Sequence, residues 1–393
     1  MLRKGDLTQG GIITTLLQFT LPMLAGSLLQ QCYNIADTLI VGQCIGANAL
    51  AAVGSAYTLM VFLISILLGL SMGSGTVFSL QYGAGDLSAL RRSIYVSLLL
   101  IGTVTILLNV AVFLWLDPIL RWLQVPYDIY SLMRNYLWII FWGIVFTFLY
   151  NFYAALLRAV GDSVTPLWFL AVSVVLNIGL DLFLILVLDQ GIEGAAVATV
   201  IAQLFAALYC LRAVLHVKVI HLKKEYFRLN PEIAKRLLGL GTPVAAQNVI
   251  IAVGGMGVQS VVNRYGTLFV AGFTATNKLY GILEIAAVSF GYAVTTYVGQ
   301  NLGAGLLDRV KKGMHSATWI ALLPSVVITV FVLIFGKYGI ALFISGTAEE
   351  VSISSQVAIH YLNIMSICLS ILYMLHIYRS ALMGLGDTIM PMA

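Results

Sequence analysis

Asn34-Ile35-Ala36-Asp37-Thr38-Leu39-Ile40-Val41-Gly42 lies near the end of the first long apolar segment of the chain. It sets a carboxylate, Asp37, among residues that read as membrane-buried. An ionised side chain in hydrocarbon is costly, and by default it marks a site for a cation or a proton. The competing reading of a lone acid near a helix end is an interfacial cap or a hydrogen-bonded structural group. What surrounds the segment, and whether other polar groups reach the same depth, decides between the two.

The surroundings are those of an all-α integral membrane protein. Of 393 residues, 60% are hydrophobic and 9% charged, whereas soluble domains carry about 25% charged residues. Mean hydropathy is +0.98. Strand alternation is absent, so helices rather than a barrel satisfy the backbone in lipid. Ten helical spans can be drawn, at about 12–41, 48–81, 93–116, 134–157, 166–188, 192–215, 236–262, 268–300, 314–336 and 356–382. Several exceed the ~20 residues that cross the hydrocarbon. Pro22, Pro243 and Pro324 are the expected kink points. Pro22, Gln30 and Gln31 within the first run, and the lack of a small-residue cleavage site, argue against a signal peptide.

The net charge of +5 reports orientation, not a nucleic-acid partner. On one side lie Arg3, Lys4, Arg91, Arg92, Arg158, Arg212, Lys218, Lys223, Lys224, Arg228, Lys235, Arg236, Arg309, Lys311, Lys312 and Arg379. The other side holds only Arg121, Arg134, Arg264 and Lys337. The basic side is cytoplasmic, and with it the N-terminus. Cys32, Cys44, Cys210 and Cys368 show no CxxC or metal spacing and read as small buried hydrophobes.

The basic stretch 216–235 divides two copies of one pattern. Gly83-Ala84-Gly85 matches Gly303-Ala304-Gly305 at an offset of 220, and Gly46 meets Gly266 at the same offset. Pro22 meets Pro243 one residue out of step. Tyr153…Gly161-Asp162…Pro166 matches Tyr378…Gly386-Asp387…Pro391 at 225. An even number of spans separates the copies, so they share one orientation, related by an axis along the membrane normal. Residues 1–215 make a six-helix lobe and 236–393 a four-helix lobe that lacks counterparts of 166–188 and 192–215. The Gly-Ala-Gly segments read as turns after helices rather than phosphate cradles. No GxxxxGK[ST] supports ATP drive.

Three spans bring polar groups to one depth. Asp37, Asp181 and Thr199 each fall roughly 10 Å below the outer surface at the helical rise per residue. Asn177 precedes Asp181 by four residues, which puts both on one helix face. Two carboxylates, an amide oxygen and a hydroxyl suit a small cation; the same carboxylates could instead share a proton. Lys278 and Glu284 lie six residues apart on different faces of the eighth span. Glu284 could attract a cationic substrate, Lys278 could answer a nearby carboxylate, or each could be satisfied by neighbouring helices and water. Tyr33, Tyr57, Phe62, Met256, Tyr280 and Tyr292 could line a permissive pocket or serve as ordinary packing.

The segments Asn34–Gly54, Met72–Asp86, Tyr153–Pro166, Asn177–Asp181 and Gly299–Gly305 resemble the multidrug and toxic compound extrusion (MATE) transporters, especially the prokaryotic DinF-like branch. The resemblance implies two six-helix lobes around a central cavity and export of amphiphilic, often cationic compounds against inward Na⁺ or H⁺. By that resemblance Asp37, Asn177, Asp181 and Thr199 match the cation site of the first lobe. Acids that some relatives carry on the seventh and tenth helices are replaced here by Gln247, Asn248, His360 and His376. The expectation is a cation-coupled antiporter without a cofactor. It would be a monomer in a bacterial cell membrane, in contact with lipid and a small amphiphilic substrate. A flippase for lipid-linked oligosaccharide or peptidoglycan precursors is the alternative; it calls for several cavity Arg or Lys residues, and only Lys278 lies clearly inside a span. An intramembrane enzyme needs a clustered catalytic set, and His360 and His376 lack a carboxylate partner on their helix. A non-transporting remnant is the third alternative, from the shortened second lobe.

Overall fold

A computed structural model describes residues 6–123, 125–220, 226–341, 343–344 and 347–392. The elements in order are α1 (Ile12–Cys44), α2 (Ala47–Gly83), α3 (Leu87–Trp122), α4 (Tyr127–Ala159), α5 (Val164–Leu182) and α6 (Gly191–His216). There follow α7 (Pro231–Val262), α8 (Thr267–Gly303), α9 (Leu307–Ala341), α10 (Ala348–Ile367), α11 (Leu369–Gly384) and the short α12 (Ile389–Met392). Among the described residues nine helices are long and apolar enough to span a membrane, and α10 with α11 makes a tenth, bent by 47°. The expected spans fall on these helices, most of them a few residues short, while the fifth runs past the end of α5. Arg3, Lys4, Lys223 and Lys224 lie outside the described residues, as do 221–225 of the basic stretch.

The helix ends repeat down to individual hydrogen bonds. Gly161 N–H reaches Arg158 O and Asp162 N–H reaches Leu157 O; Gly386 and Asp387 do the same to Met383 and Leu382. The glycines have φ of +88° and +87°, a conformation that ends a helix at little cost only without a Cβ. Asp162 then accepts from the N–H groups of Val164 and Thr165, as Asp387 does from Ile389 and Met390. Gly85 and Gly305 form the other matched pair, at φ +71° and +74°.

The two copies meet where α2 crosses α8. A Cβ on Gly83 would run into the backbone of Gln300, and one on Gly303 into the backbone of Leu80. These contacts exchange under the 220-residue offset, as expected for a crossing on a two-fold axis. Gly69 and Gly73 of α2 approach Ala245 and Gly241 of α7 equally closely. Small residues let helix backbones pack where lipid supplies no hydrophobic drive. Towards the opposite ends of α2 and α7, Gly54, Gly254, Gly255 and Gly257 have open space where a Cβ would go, as does Gly281 midway along α8, where it lines the cavity between the lobes. The lobes therefore clasp at one end and part at the other. Gln300, fully buried, completes the closed end: its amide donates to Ala159 O at 2.8 Å and accepts from Leu7 N at 3.0 Å. Arg309 adds bonds to Asn301 Oδ1 and to the carbonyls of Leu7, Gln9 and Gly10.

Two large apolar cores result, beside smaller clusters around Leu362 and around Leu237. One gathers α2, α3, α4 and α6 around Phe78, Phe141, Phe152 and Leu156. The other gathers α8, α9 and α11 around Tyr297, Tyr373 and Ile377, and it takes in Leu7 together with Leu16, Phe19 and Met23 of α1. Helix α1 thus belongs to the second core at its start and reaches α5 and α6 further along, where Asp37 sits.

The helices continue without a break through Pro22, Pro243 and Pro324. Breaks fall at Trp115, where φ −112° and ψ 16° precede Pro118, and at Cys368, which lies near no proline. Pro118 crowds the turn before it. Two expectations are corrected. Of the cysteines only Cys210 is buried; Cys32, Cys44 and Cys368 are exposed. A lipid-facing surface is itself apolar, so an apolar position need not be an interior one. Finally, most of the basic residues expected in loops lie within helix ends, among them Arg91 and Arg92 of α3, Arg158 of α4, Arg309, Lys311 and Lys312 of α9, and Arg379 of α11.

Candidate functional site

Asp37 of α1 and Asp181 of α5 are both buried. Buried carboxylates need partners, yet Oδ1 of each has none in the structure. The residues around them are polar and interlocked. Asn177, one turn before Asp181, is fully buried. The amide orientation that satisfies both its ends donates to Asp181 Oδ2 at 2.9 Å and accepts from Thr199 N–H at 3.3 Å. The Thr199 hydroxyl lies 3.2 Å from the Tyr33 hydroxyl. The four predicted residues are thus drawn from α1, α5 and α6 into one cluster, with two free carboxylate oxygens. Asn177 and Thr199 each have a protein partner within the cluster. Two residues after Asp181 the helix widens into a single π turn, Phe183–Val187, a distortion that recurs at functional sites.

Two tyrosines complete the cluster. Tyr33, expected in the substrate pocket, instead faces Thr199 and senses the charges of Asp37 and Asp181. Tyr136 of α4, which sequence reasoning missed, lies buried within electrostatic range of Asp37, Tyr33 and Asp181. In sequence a buried tyrosine in a span is indistinguishable from packing, so only the fold finds it.

Between the lobes lies a cavity of about 550 Å³. It is walled by α1, α2, α4, α5 and α8, including Gln30, Asn34, Tyr57, Arg158, Glu284 and Tyr292. Asn34 lies three residues before Asp37, so cavity and cluster adjoin along α1. Of the expected pocket residues, Tyr57, Glu284 and Tyr292 are in place. Tyr280 is buried in the second core, and Phe62 packs against the first. Met256 and Lys278 are exposed away from the cavity lining. Arg158, not expected here, lies with its guanidinium 5.7 Å from the Tyr292 ring centroid. Glu284 does not pair with Lys278; its Oε1 lies 3.4 Å from His376 Nε2. His376 therefore has a carboxylate partner after all, supplied by α8 rather than by its own helix. His360 sits on α10, on the far side of the bend, against a separate apolar crevice.

The MatE family model matches the chain twice, over residues 22–183 and 243–393, which are the two copies seen in the sequence. The chain is 37% identical over 340 residues to the probable multidrug resistance protein YpnP of Bacillus subtilis, covering 86% of this chain and 76% of the relative. It is 26% identical over 302 residues to the multidrug export protein MepA of Staphylococcus aureus, covering 75% and 65%. A MOP superfamily transporter from Pyrococcus furiosus superposes with a TM-score of 0.92 at 21% identity, over all of this chain and 87% of that one. An outward-facing multidrug resistance MATE family transporter superposes equally well. A match repeated over both copies, joined to a relative at this identity and coverage, places the chain in the MatE family of multi-pass membrane transporters.

Proposed function

We propose that the chain exports amphiphilic, cationic drugs or toxins by alternating access, driven by inward movement of Na⁺ or H⁺. The observation that carries this is the pair of buried carboxylate oxygens at Asp37 and Asp181 left without partners. Either ion would offset one of the two negative charges and so relieve their repulsion and part of the desolvation cost. Helix α1 joins that cluster to the second core, so a change at Asp37 acts on both lobes. The ion moves the equilibrium only by its differential affinity for the two conformers. Residues 1–215 and 236–393 act as the two lobes about 216–235. The N-terminus is cytoplasmic by the distribution of basic loops, so the clasped end faces inward and the cavity opens outward. The setting is a bacterial cell membrane, and one chain supplies the whole site.

Glu284, Tyr57 and Tyr292 in the cavity suit a substrate with a cation and apolar surface. Arg158 in the same cavity favours a second reading, a flippase for lipid-linked precursors, because it could meet a phosphate. One lining arginine facing one glutamate leaves the cationic reading ahead. Reconstituted vesicles with an imposed Na⁺ or H⁺ gradient test the proposal. Efflux of a cationic dye should follow one of the gradients and vanish in Asp37→Asn and Asp181→Asn at equal incorporation. Undiminished efflux in both variants would overturn it.

A further inference from the structure

Glu284 stands between the open cavity and a buried imidazole. In front, it lines the cavity and its side chain is 40% exposed. Behind, His376 reaches it at 3.4 Å, with a side chain only 9% exposed and outside the cavity lining. That distance is within ion-pair range but long for a hydrogen bond, so the carboxylate is held near the imidazole without being fixed to it. We propose that His376 and the cationic group of the substrate compete for Glu284, so that protonation of His376 displaces the substrate from the cavity. The inference rests on the cationic-exporter reading and adds how its substrate is released.

Histidine changes charge within the range that cells and their surroundings cover. A hydronium ion in the cavity gives its proton to the Glu284 carboxylate and leaves water; the carboxylic O–H then breaks as the N–H at Nε2 of His376 forms. The neutral ring leaves the carboxylate to a cation in the cavity; the imidazolium takes it back. Release would then be favoured when the open cavity faces an acidic medium. This differs from the Asp37/Asp181 cluster, which acts through conformation, because here proton and substrate meet the same carboxylate.

The other ionisable groups nearby do not supply this switch. Tyr280 of α8 lies in the field of Glu284, and Tyr280 in turn lies within electrostatic range of Cys368, Tyr361 of α10 and Tyr373 of α11. Tyrosines stay neutral across this pH range. Arg379, one turn beyond His376, lies within electrostatic range of Glu284 and Tyr292. Arg158 reaches Tyr292 from α4. Both arginines keep their charge at every pH of interest, so they set a constant background. Helix α9 carries no ionisable residue between His315 and Lys337, and α2 none between Tyr57 and Tyr82. From α1, the residues in this core are Leu16, Phe19 and Met23.

The test is equilibrium binding of tetraphenylphosphonium to the purified full chain at about pH 8 and about pH 5.5. Wild type should bind about fivefold more weakly in acid, the scale of one half-exposed ion pair. His376→Gln should lose most of that difference. His376→Lys should bind about fivefold more weakly at both pH values, as should Glu284→Gln, and combining the two should add nothing. His376→Asn is a second neutral replacement if glutamine impairs folding, judged by the thermal midpoint. A His376→Gln protein with the full wild-type pH difference would overturn the proposal, as would His376→Lys binding as tightly as wild type. Wild type that binds the probe at neither pH would bring down the cationic-exporter reading itself.

Discussion

Asp86, Asp162 and Asp387 show what a structural carboxylate does in this chain. Each accepts backbone N–H groups two or three residues ahead and starts a helix. The N–H of Ala89 and the hydroxyl of Ser88 hold the Asp86 carboxyl below its usual range. Its folded value lies below its unfolded one, so its contribution is full above about pH 4 and is lost as pH falls through the folded value. Asp86→Ala should lower stability by about 1 kcal/mol at neutral pH. The loss should shrink in acid, as read from thermal unfolding in detergent. Asp37 and Asp181 accept nothing at Oδ1, which is why they are assigned to an ion. Tyr33→Phe removes the hydroxyl partner of Thr199 and should raise the Na⁺ or H⁺ concentration for half-maximal efflux about fivefold, the worth of one hydrogen bond. An unchanged half-maximal concentration would place Tyr33 outside the cluster's working parts.

At the scale of the helix, the glycine crossings separate positions that look alike in sequence. Gly83→Ala puts a methyl into the backbone of Gln300 and should open the clasped end and lower the thermal midpoint. Gly54→Ala, with nothing within 4 Å of the added carbon, should be neutral or stabilising by up to about 1 kcal/mol. Equal midpoints for the two variants would refute the crossing. The spans, the repeated glycine turns and the set Asp37, Asn177, Asp181 and Thr199 were legible because each depends on local chemistry: apolar length, a positive φ, or an expensive buried charge. Other features depend on how helices face one another. The bend at Cys368 has no proline to announce it. Tyr136 has no spacing that links it to Asp37. The partner of His376 comes from a helix about ninety residues earlier in the chain. Three cysteines are exposed, because an apolar residue on a membrane-spanning helix need not face the interior.

Across the whole molecule, a two-fold clasp at one end leaves a cavity open at the other, and α1 runs from the second core to the acidic cluster. An ion at Asp37 and Asp181 can therefore act on the lobes as bodies. The most direct test is the separation of spin labels at positions 127 and 265, both exposed, the first at the start of α4 and the second in the turn between α7 and α8. In wild type the distance distribution should shorten when Na⁺ is added or the medium is acidified. In Asp37→Asn/Asp181→Asn it should stay fixed under both treatments. A wild type that responds to neither ion, or a double variant that responds as fully as wild type, would contradict the assignment of the acidic pair as the switch.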